Sequence, residues 1–429
     1  MPKPESFQDQ GSEAPISDAI TAPGPASGGP LRSPAFRWFF IGRSISMAGS
    51  LMSPVALAFG VLEITDSAAW LSAVTATAML AMAATMLLGG GIADRYRRDA
   101  VLSLTSLGAG LTQAGVAVLL LTHQHPVLLL PLAASNGVLQ GLTIPALRGI
   151  VSNLVAGRGL QRASSLLASA RNTNRIIGPA TAGLLTASIG GGWAIAADAA
   201  SFLLAGACFA RISLPERRPR AKDSPTMLAD MMEGWRYFKS QQWIWSVTVA
   251  FAIFNATNRG AWQILGPVIA NDTIGAAGWG LVLSAQGVGA LLASVVLMKM
   301  TLMRRPMTPA LCSMALAVLP LVLLGAGANT FWLAGAALLT GMSVEFFTVV
   351  WETVNYTHIP ERLLSRVGAH DEFWGTLSFP LGQMSAPLLA AAFGTAAVAV
   401  TGGAVAAAVM LLASLVPSLR RIEINHDDA

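Results

Sequence analysis

Charge is scarce in this chain: Asp, Glu, Lys and Arg make up 11% of its 429 residues, where a soluble domain carries about 25% to stay solvated. Cysteine is scarcer still. Cys208 and Cys312 are the full complement and both lie inside apolar runs, which argues against a disulfide framework and a cysteine-built metal site. His123 and His125 flank a turn, where a metal role is the weaker reading. No phosphate-cradling glycine loop, HExxH, Gly-x-Ser-x-Gly or acid pair beside a nucleophile occurs. Neither an enzyme nor a cofactor is expected, and no catalytic residue is assigned.

What the chain does have is apolar length. Hydrophobic residues reach 54% and the mean hydropathy is +0.59. Runs of about twenty apolar residues recur, the length that crosses a hydrocarbon core about 30 Å thick. They predict membrane spans at 36–62, 70–91, 100–122, 127–151, 166–189, 192–211, 243–269, 279–300, 309–327, 330–356, 369–391 and 395–417. Residues 1–35 are rich in Pro, Gly, Ser and Ala and read as a disordered tail. They lack the pattern of a signal peptide.

These spans sort the loops by charge. Arg95, Arg97, Arg98, Arg158, Arg162, Arg217, Arg218, Arg220, Arg304, Arg305, Arg362 and Arg366 fall on one side, with both tails. The opposite loops, 63–69, 123–126, 190–191, 270–278, 328–329 and 392–394, hold no Lys or Arg. The positive-inside rule predicts a multi-pass inner-membrane protein with both termini cytoplasmic. The net charge of +5 then faces lipid rather than nucleic acid. Trp70, Trp193, Trp279 and Trp332 are expected at the outer boundary, and Trp38, Trp243 and Trp245 at the inner one.

The 212–242 segment separates six spans from six. Met227, Met231, Trp235 and Phe238 repeat there at helical spacing, which predicts an amphipathic helix lying at the headgroups. A shift of 204 residues sets Arg158, Leu160 and Arg162 on Arg362, Leu364 and Arg366, and Gly178 on Gly382. Duplication of a six-helix unit explains the register. The organisation expected is a tail (1–35), a bundle (36–211), a cytoplasmic linker with an amphipathic helix (212–242), a second bundle (243–417) and a tail (418–429). The fold class is all-α membrane protein, two pseudo-symmetric six-helix bundles around a shared cavity.

After the second span comes Gly90-Gly91-Ile92-Ala93-Asp94-Arg95-Tyr96-Arg97-Arg98. This resembles the Gly-x-x-x-Asp-Arg-x-x-Arg loop of the major facilitator superfamily. Gly178-Pro179 with Gly183, the Pro360-Glu361…Leu364-Ser365-Arg366-Val367 loop and Trp351-Glu352-Thr353 resemble its bacterial export branch, the macrolide and siderophore exporters of transmembrane secretion effector type. The resemblance implies a cytoplasmic gate at Gly90, Asp94, Arg95, Arg98, Arg148 and Arg366. It also implies conformational glycine and proline positions at Gly178, Pro179, Gly183 and Gly382. Five positions depart from the family pattern: Arg97 and Asp99 in that loop, Gly137 where a proton-linked arginine would fall, Asn174 in place of a glycine, and Ser50 near a helix-1 acid.

Ionisable side chains at bilayer depth cost at least about 2.5–3.5 kcal/mol on insertion scales, so each needs a reason. Glu345, Thr348, Glu352 and Asn355 share one helical face, which makes Glu345 and Glu352 the proton-coupling candidates. Asn255, Asn258, Arg259, Trp262 and Gln263 share another. With Asn136, Gln140, Asn174, Arg175, Gln286 and Trp351, they and Asn355 are the candidates for lining a substrate cavity. Asp198 is expected to pair within its own half. Arg148 and Glu352, equivalent under the 204-residue shift, are expected to pair across the cytoplasmic mouth. The function expected is export of a small amphipathic organic molecule by alternating access with proton antiport, in a monomer. An importer, or a non-transporting sensor or scaffold, remains the alternative.

Overall fold

The structure, a computed structural model, describes residues 30–95, 97–155, 159–213, 227–300 and 303–424; the side chains at 87–95, 148, 149, 152, 227–231, 361, 362, 365 and 376 are outside that description. Twelve helical spans run back and forth. They are Pro34–Thr65, Ala68–Arg95, Arg98–Leu121, Leu129–Leu154, Gly159–Ile189, Gly191–Ala210, 242–273, Gly275–Leu297, Met307–Gly325, Thr330–His358, Glu361–Phe393 and Thr395–Ser414, numbered 1 to 12. Among the described residues, nine are long and apolar enough to cross a membrane on composition alone. Spans 5, 7 and 11 are the others. Each carries charge at depth: Arg171 and Arg175, Arg259, and Asp371 with Glu372. Of these, Arg259 faces a cavity and Asp371 accepts hydrogen bonds from Thr248 and Trp351, which is how charge is tolerated inside a membrane protein.

The pairing of spans repeats. In the first half, span 1 packs on 5 and 6, span 3 on 4 and 6, and span 2 on 4. In the second half, span 7 packs on 11 and 12, span 9 on 10 and 12, and span 8 on 10. Each contact in one half is its counterpart in the other, as duplication requires. The glycines matched by the 204-residue shift do the same work. A Cβ on Gly178 would come within 2.9 Å of Leu51 on span 1, and one on Gly382 would strike the Ala256 carbonyl on span 7. The halves meet where span 5 packs on 8 and span 2 on 11, again an equivalent pair. The result is the pseudo-two-fold arrangement of the major facilitator fold.

Four apolar clusters show how the halves join. Towards the arginine-rich end, one core belongs to the first half alone (Phe36, Phe39, Leu102, Ile150, Phe209). A second belongs to the amphipathic helix and the second half (Phe238, Ile244, Met307, Leu311, Val350, Met410). Towards the opposite end both remaining cores cross the boundary. One joins Val61, Leu71 and Ile195 to Ile264, Leu265 and Ala399. The other joins Met52, Val55 and Ala182 to Trp279, Leu324 and Leu333. The molecule is therefore sealed at one end and divided at the other.

Three expectations need correction. The amphipathic helix, Met227–Ser240, does not lie free at the headgroups. Phe238 is buried, Trp235 meets His370 of span 11 at 5.4 Å between ring centres, and Tyr237 donates to the His358 carbonyl. Trp279 is not a boundary residue: it is 2% exposed and packs on Trp262 at 4.5 Å between ring centres. Trp243, also expected at an interface, is buried against Trp351. Trp193 and Trp332 are exposed, as interfacial anchors should be. Each described end of the chain lies at the arginine-rich end of its own half. Glu423 is bridged by Arg304 and Arg305 at 3.0 and 2.6 Å, and Pro30 borders the start of span 5.

Candidate functional site

Between the halves lies a cavity of about 530 Å³. Both halves line it near mid-span, and two polar groups define it.

On the first-half side, Asp198 of span 6 is fully buried. Its Oδ2 accepts from Gln113 Nε2 at 2.6 Å, and the same amide donates to Ser53 Oγ at 2.9 Å. Gly49 makes room for this cluster, since a Cβ there would collide with Ser201 Oγ and Asp198 Oδ1. Asp198 thus pairs within its own half, as expected, and it also lines the cavity with Gln113 and Ser53. Sequence reasoning misses that site role. A lone carboxylate in an apolar span is the signal, but only packing reveals which way it faces. Gln140 also lines the cavity and donates to Asn136 at 2.6 Å. Asn136 in turn donates to Thr112, so it supports Gln140 instead of lining the space.

On the second-half side, the helix of span 7 widens into a π turn at Asn255–Gly260. Such turns carry an extra residue and re-aim side chains. Asn258, Arg259, Trp262 and Gln263 from this region face the cavity, with Trp279 and Gln286 of span 8 and Gln383 of span 11. The Arg259 guanidinium lies over the Phe379 ring at 5.6 Å. Gln383 donates to Gln263 at 2.5 Å.

Several candidates stand elsewhere. Asn255 donates to the Gly375 carbonyl and Asn174 to the Ser44 carbonyl; both are interhelix ties, and neither lines the cavity. Trp351 donates to Asp371 Oδ2 at 3.0 Å, and Thr248 donates to Asp371 Oδ1 at 2.6 Å. This cluster is outside the cavity wall, and the sequence reading does not include Asp371. Glu345 accepts from Ser294 at 2.7 Å and lies 4.0 Å from Arg175 of span 5, an ion pair between halves. Glu352 is exposed, and Asn355 is outside the cavity wall.

Of the gate residues, Gly90, Asp94, Arg95 and Arg148 have side chains outside the described residues. Arg98 donates to Asn153 of span 4 at 3.1 Å. Arg366 is bonded to Glu233 of the amphipathic helix, a contact the sequence does not suggest. Gly183 packs against Gly280 of span 8, with a Cβ only 3.0 Å from its Cα.

Twelve paired spans and a polar-studded cavity between the halves are the architecture of a membrane transporter of the major facilitator type. The chain belongs to the transmembrane secretion effector family, whose model matches residues 26–424. It is 25% identical over 371 residues to the enterobactin exporter EntS of Shigella boydii serotype 4, covering 83% of this chain and 88% of that one. The EntS of Escherichia coli O1:K1 matches to the same extent. In fold it is similar to the nucleoside transporter NupG, with TM-score 0.70, 12% identity and coverage of 88% and 98% of the two chains. A bacterial homolog of the human lysosomal transporter Spinster, inward-facing and unoccupied, gives TM-score 0.68, 13% identity and coverage of 93% and 100%.

Proposed function

We propose that this protein exports a small amphipathic organic molecule, of drug, antibiotic or siderophore class, across the bacterial inner membrane in exchange for protons. It does so as a monomer with both termini and the 212–242 segment in the cytoplasm. The observation that carries the reading is the cavity itself: it is shared by both halves, walled by apolar and aromatic side chains with a few convergent polar groups, as organic-ligand sites are. The loop arginines favour a cytoplasmic location for the divided end, so this state is the one that loads from inside. Relatives named as enterobactin exporters support an organic cargo and the outward direction.

Glu345 is the proposed proton-exchanging group, with Glu352 the second candidate. Glu345 joins span 10 to Ser294 and to Arg175 across the boundary between halves. Proton uptake would weaken that pair in one state more than the other, and only such a difference shifts a conformational equilibrium.

Everted inner-membrane vesicles test the reading. With a panel of labelled macrolides and siderophores and an imposed proton gradient, one compound should accumulate and dissipate the gradient. Glu345→Gln should lose accumulation while retaining binding. Accumulation only in right-side-out vesicles would favour an importer, and no gradient-linked movement of any compound would sink the proposal.

A further inference from the structure

We propose that the second-half wall of the cavity is a subsite for an aromatic acid: Arg259 takes the ligand's acidic group and Trp262, backed by Trp279, takes its ring. The inference deepens the export reading, and rests on it for the ligand being cargo.

Arg259 carries the argument. It lines a cavity at mid-span, where a guanidinium without a counter-charge is costly. Among the described residues no carboxylate lies within ion-pair distance of it. The charged neighbour whose field it feels is another cation, Arg175, which already has Glu345 at 4.0 Å. The cavity's carboxylate, Asp198, belongs to the opposite half and is engaged by Gln113. Phe379 covers the guanidinium face, which offers cation–π attraction but no charge compensation. A ligand acid would supply the missing charge, and the planar fork of arginine suits a carboxylate geometrically.

Two independent features point to the rest of the ligand. Trp262 lines the cavity and is held from behind by the buried Trp279 of another span, with ring centres 4.5 Å apart, a fixed apolar surface for an aromatic ring. Asn258 and Gln383 are 6% and 1% exposed, line the cavity, and each holds a side-chain oxygen that no donor meets. A buried acceptor left unmet keeps its full desolvation penalty, and hydroxyl donors on the ligand would satisfy both.

The probes are 3-hydroxy-2-naphthoate and its neutral amide, which share ring and hydroxyl and differ in charge. Equilibrium dialysis uses the full-length protein in nanodiscs, with empty nanodiscs correcting for partition into lipid. The acid should bind about tenfold or more tightly than the amide. Arg259→Gln should bring the acid down to the amide's affinity and leave the amide unchanged. Equal binding of the two probes, no binding of either at millimolar concentration, or a preference that survives Arg259→Gln overturns the subsite. Should that variant not fold, the two probes on the wild type decide alone. A preference for the acid in a protein that moves nothing in vesicles would condemn the export reading and leave the subsite standing.

Discussion

A polar group in a membrane protein interior has no water to fall back on, so its partners decide whether it is tolerated. Asp198 is a case in point. Gln113 serves it directly and Ser53 through the same amide, with Ser201 at the edge of reach. Asp198→Asn keeps the size and an acceptor oxygen, and should melt close to the wild type. Asp198→Ala leaves one of the two Gln113 amide hydrogens without its acceptor, the other still reaching Ser53, at a cost of about 1–3 kcal/mol. Thermal unfolding of the purified variants in one detergent checks the ordering; equal melting would mean that this hydrogen bond does not hold spans 3 and 6 together. At this scale the sequence reveals which residues are out of place in lipid and little about whom they meet. Gln140 and Arg259 reach the cavity, while Asn174 and Trp351 are consumed by a backbone carbonyl and by Asp371. Each of those partners lies 20 to 130 positions away in sequence, beyond any local pattern.

Elements are far more legible, because span length is set by bilayer thickness and the apolar runs report it directly. Apolar length predicts 330–356 for span 10, which runs Thr330–His358. The same reading starts span 11 at 369, yet the helix begins at Glu361; a polar first turn is invisible to hydropathy. The π turn in span 7 leaves no mark either, since Asn255–Gly260 holds no proline; Ala256 and Gly260 of that turn lie close against Gly382, 120 or more positions away. Close glycine contacts between the halves also belong to this scale. A Cβ on Gly280 would strike the Pro179 carbonyl and come within 3.0 Å of Gly183. Gly280→Val should therefore push span 8 from span 5, destabilising by about 1–3 kcal/mol as overpacking does, and slow transport. Gly335→Val is the control, since a Cβ there has nothing within 4 Å. Similar melting temperatures and transport rates for the two variants would contradict a tight 5–8 interface.

At the scale of the whole molecule, the separate cores at the arginine-rich end and the shared cores opposite define one of the two states that alternating access requires. To reach the other state, the first-half core around Phe39 and the second-half core around Val350 must close on each other. Groups that seal that mouth must be available in the divided state and lie at matching depths on opposite halves. Glu352 of span 10 meets both conditions: it is exposed, and the 204-residue shift pairs its position with Arg148 of span 4. Arg366, the other basic candidate for a partner to Glu352, is already bonded to Glu233. A pair formed only on closure biases the equilibrium by its own free energy, on the order of 1 kcal/mol at a hydrated mouth. Each single reversal, Arg148→Glu or Glu352→Arg, places like charges together there, and should slow transport several-fold while leaving expression and melting temperature unchanged. The double reversal restores attraction with the charges exchanged, so transport should recover to near the wild-type rate. Losses that simply add in the double variant would show that the two side chains act apart, with Arg148 serving lipid phosphates instead of the gate.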